Sequence, residues 1–363
     1  MLRFHWFLPT SGDGDQIGAA TVTAGAADHR RAATLDYLAE VAEAAEDNGF
    51  VGALTPVGSG CPDPWIVCSA VAVRTSRLKF LVALRPGFAL PTLIAQQAQA
   101  FTQLVGDRLA LNIVTGGDSA EQRAYGDFLD HDARYARTRE FVQVLRQSFA
   151  GEPFDFHGEH YRIERGGLKQ PQSPAIPLYF GGASPAAEQV AAQLVDTYLM
   201  WGEPPTAIAQ RAERMRQLAA AHGRELSLGI RLHVIARETA DEAWAEMDRL
   251  LAGMSPERIA AAQRRFSTMD SVGQTRMAAL NGGSAERLVI APNLWAGVGL
   301  VREGAGTALV GSYAEVADRL REYADLGLSE FILSGWPHRE EAERIGRHVL
   351  PLLTATAEAI SHR

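Results

Sequence analysis

The sequence predicts an α/β fold, a (β/α)8 barrel of TIM type with insertions, and three observations carry that prediction. Short apolar runs of strand length alternate with amphipathic stretches of helix length along the whole chain. Eight such runs are present, the number that closes a parallel sheet on itself. No G-x-G-x-x-G follows the first run, which argues against an open doubly wound sheet.

The elements follow in order. Strands are expected at Arg3–Leu8, Gly52–Thr55, Leu78–Leu84, Arg108–Val114, Leu178–Gly181, Thr197–Met200, Leu228–Ala236 and Phe331–Ser334. Helices are expected at Thr34–Asn48, where Gly49 supplies the stop, and at Leu90–Leu104, Tyr135–Ala150, Pro185–Leu194 and Thr206–His222. One domain spans 1–363, with two insertions. Residues 151–177 read as a hairpin and a Pro-rich connector. Residues 253–312 are too long for an ordinary connector yet carry Leu294, Trp295, Val298, Leu300 and Val301. A flexible linker would not be so apolar, so a mobile lid that can pack down is expected there.

Composition limits the partners. The 363 residues are 47% hydrophobic and 21% charged, with a net charge of −8 spread along the chain. Nucleic acid or an anionic membrane needs a concentrated basic face, and none is present. Two cysteines, Cys61 and Cys68, are too few for a disulfide framework. With no signal-peptide pattern and no long apolar span, a cytoplasmic protein is expected. HDARY (131–135) lacks a second histidine at helical spacing, and there is no G-x-S-x-G elbow, so metal-dependent or serine hydrolysis is disfavoured.

In a barrel the chemistry collects where the strands end. The Gly181-Gly182-Ala183-Ser184 turn leads into a helix whose start Pro185 marks, giving free N–H groups and a helix N-terminus suited to phosphate, although a plain tight turn reads the same way. Arg231 and His233 share one face of their strand with no acidic residue at neighbouring alternate positions. Either a distant core carboxylate pairs with Arg231 or an anionic substrate does, with His233 beside it handling a proton. Trp201, Trp295 and Trp336 are expected around one mouth, facing a planar cofactor or a dry pocket.

The stretches FHWFLPTSGDG, RLKFLVALRPG, LNIVTGGDS, FLDHDARY, PLYFGGAS, YLMWGEPP, IRLHVIARET, NLWAGVGLVREGAGTALVG and FILSGWPH, spread from residue 4 to about 350, closely resemble the flavin-dependent alkanesulfonate monooxygenases of the bacterial-luciferase-like group. The resemblance implies a two-component enzyme. It would take reduced FMN from a separate NAD(P)H-dependent flavin reductase and use O2 to cleave a C–S bond, releasing sulfite and an aldehyde. It implies flavin contacts at Thr115, His131, Tyr135, Ala183 and Ser184, the last two in the turn that also holds Gly182. It implies a substrate cluster of Trp201, Arg231, His233, Arg302 and His338, with Cys61 nearby tuning binding rather than acting as a nucleophile. Self-association as a dimer or tetramer is also implied.

The chain departs from the family pattern at three places. Ser11 stands where the family commonly has histidine, and Trp336 where it has tyrosine. IGAATVTAGAA (17–27) replaces a segment that usually carries glutamates. A changed sulfonate would account for these departures. So would three alternatives: another organosulfur substrate, a deazaflavin-dependent dehydrogenase, or a flavin-binding protein without turnover.

Overall fold

A parallel strand buried on both faces must be apolar throughout, and KFLVAL and LALNI are such runs. In the computed structural model, which describes residues 1–14, 17, 31–252 and 254–353, thirteen strands appear. They are β1 (Arg3–Phe7), β2 (Gly52–Thr55), β3 (Lys79–Leu84), β4 (Leu109–Ile113), β5 (Phe154–His157), β6 (Arg162–Gly166), β7 (Leu178–Gly181), β8 (Thr197–Trp201), β9 (Ser227–Arg237), β10 (Val289–Ala291), β11 (Leu294–Trp295), β12 (Ala308–Ser312) and β13 (Glu330–Ser334). Parallel pairing runs β1-β2-β3-β4-β7-β8-β9-β13 and returns to β1, closing an eight-stranded TIM barrel. β5 and β6 form the hairpin of the first insertion.

The second insertion differs from a single loose segment. It contains helices Pro256–Phe266 and Val272–Asn281, the antiparallel pair β10 and β11, and then β12, a strand within the stretch expected to be lid. β12 runs parallel to the second half of β9, with Ala308 opposite His233 and Ser312 opposite Arg237. The Gly202 N–H donates to the Arg231 carbonyl and the His233 N–H to the Thr307 carbonyl. Both residues face the same edge of β9, so β12 takes over that edge where β8 ends. Residues 18–30, most of the glutamate-poor segment, lie outside the described residues.

Alternation sorts each strand's side chains. Ile230, Leu232, Val234 and Ala236 join the outer core under the helices, so Gly229, Arg231 and His233 point into the barrel. Phe7, Leu54, Leu81, Ala110, Tyr179, Leu199 and Ile332 form the interior apolar cluster, one from each of the other seven barrel strands. Arg231 is in register with Ile332 on one side and Trp201 on the other. It therefore brings a guanidinium alongside the apolar interior at Ile332. Below, a polar floor joins buried His5 to Glu330 at 2.7 Å, with Arg3 also on Glu330. Gly52 makes room for that imidazole, since a Cβ there would stand 2.6 Å from His5 Nδ1.

Glu46 ties helix Leu35–Asp47 to the start of β3, accepting from the N–H groups of Ser76, Arg77 and Leu78 and from the Ser76 hydroxyl. Burial opposes its charge, but these donors outweigh that and pull the carboxyl down to about 2. A lowered folded-state value gives stability that is full above the ordinary glutamate range and disappears as pH falls toward 2. Glu46→Gln is expected to cost about 1–2 kcal/mol at neutral pH and little in acid, read as denaturant midpoints at both pH values.

Candidate active site

The carboxyl ends of the strands open into a cleft of about 280 Å³. Its wall carries Thr115, His131, Tyr135, Gly182, Ala183 and Ser184, all six residues assigned to the cofactor from the sequence, together with Trp201 and Arg231. His233, Arg302, His338, Trp336 and Cys61 do not line it. Arg302 and His338 stand with Arg231 around one ring, and His233 lies 3.5 Å from Arg302.

The wall that the sequence assigns to a cofactor is built from two helix starts. Ser184 accepts from the Ala187 N–H at 3.2 Å, capping helix Pro185–Leu194. The same hydroxyl also meets the Tyr135 phenol, so the two side chains form one polar edge of the cleft. Gly182 is forced by its surroundings, because a Cβ there would lie 2.6 Å from Ala187 Cβ and 3.2 Å from Tyr135 Oη. His131 and Tyr135, one turn apart on helix His131–Ala150, have ring centroids 4.8 Å apart. Thr138 gives its hydrogen to the Arg134 carbonyl, so Thr115, 3.2 Å away, is the donor to Thr138. Residues that sequence reasoning does not assign also line the cleft. Arg85 pairs with Glu121 at 2.5 Å and leaves its Nε and Nη1 without partners, and Arg211 stands 3.3 Å from Glu203.

Behind Arg231, the ring of Phe7 collects charge. The Arg231 and Arg302 guanidinium carbons lie 4.9 and 5.3 Å from its centroid, and the His338 ring 5.9 Å. Among the described residues, neither arginine has a carboxylate within ion-pair distance. Arg231 rests on the carbonyls of Leu232 and Ile332 and on Ser334 Oγ; Arg302 lies 3.5 Å from His233 Nε2, and its Nε has no partner. Burial, reinforced by the like charge of Arg302, pulls Arg231 well below its ordinary value, and burial brings Arg302 down to about 10. Burial, then Arg231 and Arg302, hold His233 neutral.

Two carboxylates stand near these cations: Glu303, whose charge works against the fall at Arg302, and Asp13, which is fully committed. It accepts from the Gly14 N–H, the Tyr37 hydroxyl, the His338 N–H at 2.7 Å and His338 Nδ1 at 2.9 Å. Burial would raise its carboxyl, but His338 and the other donors hold it below the usual range. The pair fixes the His338 proton on Nδ1.

Two placements differ from the expectations. Trp336 and Trp295 are not at the mouth: both are buried in a second apolar cluster with Val298, Leu300, Val310 and Leu250. The Trp336 indole lies flat on His233 instead, with centroids 4.6 Å apart and an angle of 17°. Trp201 alone of the three lines the cleft, under Gly273 and Gly304 of the second insertion. Cys61 is half-buried with Sγ 3.3 Å from the Gly58 carbonyl, and burial pushes its thiol up, which disfavours a thiolate nucleophile.

The second insertion is held against the cleft by polar ties. Arg265 reaches Asp118 and Glu303, each at 3.0 Å, and Asp270 accepts from Arg134 at 2.5 Å and Ser119 at 3.0 Å. Among the described residues there is no cluster of three or more His, Cys, Asp or Glu able to hold a metal, and no helix long and apolar enough to cross a membrane.

A TIM barrel with a cleft at its strand ends and an insertion packed over it defines the class. The luciferase-like monooxygenase model matches residues 2–330, and the chain belongs to that family. Similar solved structures share the fold. A riboflavin lyase, described with modified FMN and riboflavin, has a TM-score of 0.80 at 20% identity, covering 98% of this chain and 92% of that one. DmoA from Hyphomicrobium sulfonivorans scores 0.79 at 20% identity, covering 98% and 88%. The EDTA monooxygenase of Chelativorans sp. BNC1 scores 0.75 at 17% identity, covering 98% and 94%.

Proposed function

We propose that the protein is a monooxygenase that uses reduced FMN and O2 to desulfonate an organosulfonate, releasing sulfite and an aldehyde, with the flavin supplied by a separate NAD(P)H-dependent reductase. The observation that carries the substrate class is the pair of buried guanidinium groups, Arg231 and Arg302, on the Phe7 ring with no carboxylate in ion-pair contact among the described residues. Two desolvated cations of like sign are costly unless an anion joins them. A sulfonate offers three acceptor oxygens to the two forks.

The cofactor side fits a flavin phosphate. The helix start at Pro185, the Ser184 hydroxyl and the close approach allowed by Gly182 form the cradle, with Tyr135, His131 and Thr115 along the adjoining wall. Bound there, reduced FMN would supply the reducing equivalents that activate O2. The chain's own groups have separate tasks. Arg231 and Arg302 hold and orient the anion, neutral His233 is held beside them through both ring nitrogens, and His338 donates from Nδ1 to Asp13. The second insertion, tied by Arg265 and Asp270, excludes water once the substrate is in place, and its opening would admit the next one.

Sulfite release decides the matter. With a flavin reductase, NAD(P)H, FMN and O2, a panel of sulfonates of varied chain length and polarity is expected to yield sulfite for at least one member. No sulfite above the flavin-only control for any member would end this reading.

A further inference from the structure

Ser334 closes β13 with its side chain inside the barrel and fully buried. Its Oγ lies 2.8 Å from Arg231 Nη2 and 2.7 Å from His233 Nδ1. An arginine nitrogen can only donate, so Oγ accepts from Arg231, and its own hydrogen goes to Nδ1 where the ring proton sits on Nε2. On the far side of the ring, His233 Nε2 lies 3.0 Å from the Ala305 carbonyl, which can only accept. Nε2 therefore carries the ring proton. Donation runs one way, from Arg231 through Ser334 and His233 to Ala305. Of the five N–H groups of Arg231, those on Nη1 go to the Leu232 carbonyl at 2.6 Å and the Ile332 carbonyl at 3.4 Å. One more goes to Ser334, which leaves two for the cleft, the number a guanidinium fork presents to an oxyanion.

We propose that Ser334 is the positioning residue of this site: its hydroxyl locks His233 as the Nε2–H tautomer and aims the two free N–H groups of Arg231 at the cleft. The second half rests on the sulfonate reading above; the first does not. A hydrogen donated to Nδ1 stabilises the neutral ring and opposes its protonation. The groups facing the ring act in the same direction: Arg231 from its own strand, Arg302 from the second insertion and His338 from the last helix. Trp336 covers one face and adds no charge.

The test is long-range proton–nitrogen NMR on protein labelled at histidine, with the His233 signals assigned by His233→Gln, alongside binding of methanesulfonate as probe. Wild type is expected to show one tautomer through the neutral range. Ser334→Ala removes the donor to Nδ1, so His233 should protonate at higher pH, and probe binding should weaken about tenfold. Ser334→Thr keeps the hydroxyl and should restore both; Ser334→Cys, a weaker donor, should fall between and serves if the alanine variant does not fold. A side chain needed only for its small size would instead tolerate Ala better than Thr. That result, or an alanine variant with the wild-type tautomer and titration, overturns the proposal. Absence of probe binding in wild type with the NMR changes intact would sink the sulfonate reading and leave the tautomer lock standing.

Discussion

Arg231→Met is expected to make the protein at least as stable as wild type, by up to about 1–3 kcal/mol, while lowering kcat/KM for a sulfonate by about two to three orders of magnitude. The two effects have one origin. In the free protein Arg231 is a buried cation beside a second one, Arg302, with carbonyls, a hydroxyl and a phenyl face as its company. Methionine keeps the apolar contact with Phe7 and removes the uncompensated charge. In the complex the same charge meets the anion, and losing two charge-assisted hydrogen bonds costs about 1.5–3 kcal/mol each. An arginine paired with a core carboxylate would behave oppositely, since its removal leaves that carboxylate stranded. Denaturant midpoints of the two proteins, with initial rates at subsaturating substrate, separate the cases. A destabilised variant with near-normal kcat/KM would mean that Arg231 serves the fold and not the ligand.

How far the residue order alone discloses this site depends on how local each cause is. Strand parity is local, and alternation along IRLHVIAR puts Arg231 and His233 on the inner face, where they stand. The Gly-Gly-Ala-Ser turn ahead of Pro185 is equally local, and it borders the cleft. The missing carboxylate for Arg231 is legible in the sequence only at short range; that no distant one among the described residues fills the place is a property of the fold. β12 is hidden because Ala308–Ser312 is short and Gly-containing and follows a Gly-rich stretch, so nothing in its period separates it from a lid. Asp13 reads as one more polar residue past a strand end, since its partner His338 is 325 positions away. Trp336 reads as a mouth residue because the chain just past a strand end can turn either way. The choice is made by packing against Trp295 and Leu250, which no local pattern announces.

That packing makes Trp336 the second large lever. Trp336→Ala is expected to cost about 3–5 kcal/mol of stability, the range for emptying a buried aromatic site, and to lower kcat as well. Stability falls because the indole fills the second apolar cluster against Trp295, Val298 and Leu300, the residues that anchor the second insertion to the barrel. Activity falls because the same indole is the flat support of His233, and without it the ring is held by hydrogen bonds at its edges alone. Phe at this position is the informative control. It keeps a ring over the imidazole and removes the indole N–H, which is buried without a partner. Deleting an orphaned donor offsets part of the lost volume, so Trp336→Phe is expected to cost no more than about 1–2 kcal/mol and to keep most of kcat. Tyrosine adds a hydroxyl to the same buried place, so Trp336→Tyr should fall below Phe in stability unless that hydroxyl finds an acceptor. Unfolding midpoints and kcat across the three variants test the ordering. If Ala matched Phe in kcat while losing stability, Trp336 would be a core residue only, and His233 would need no support from its face.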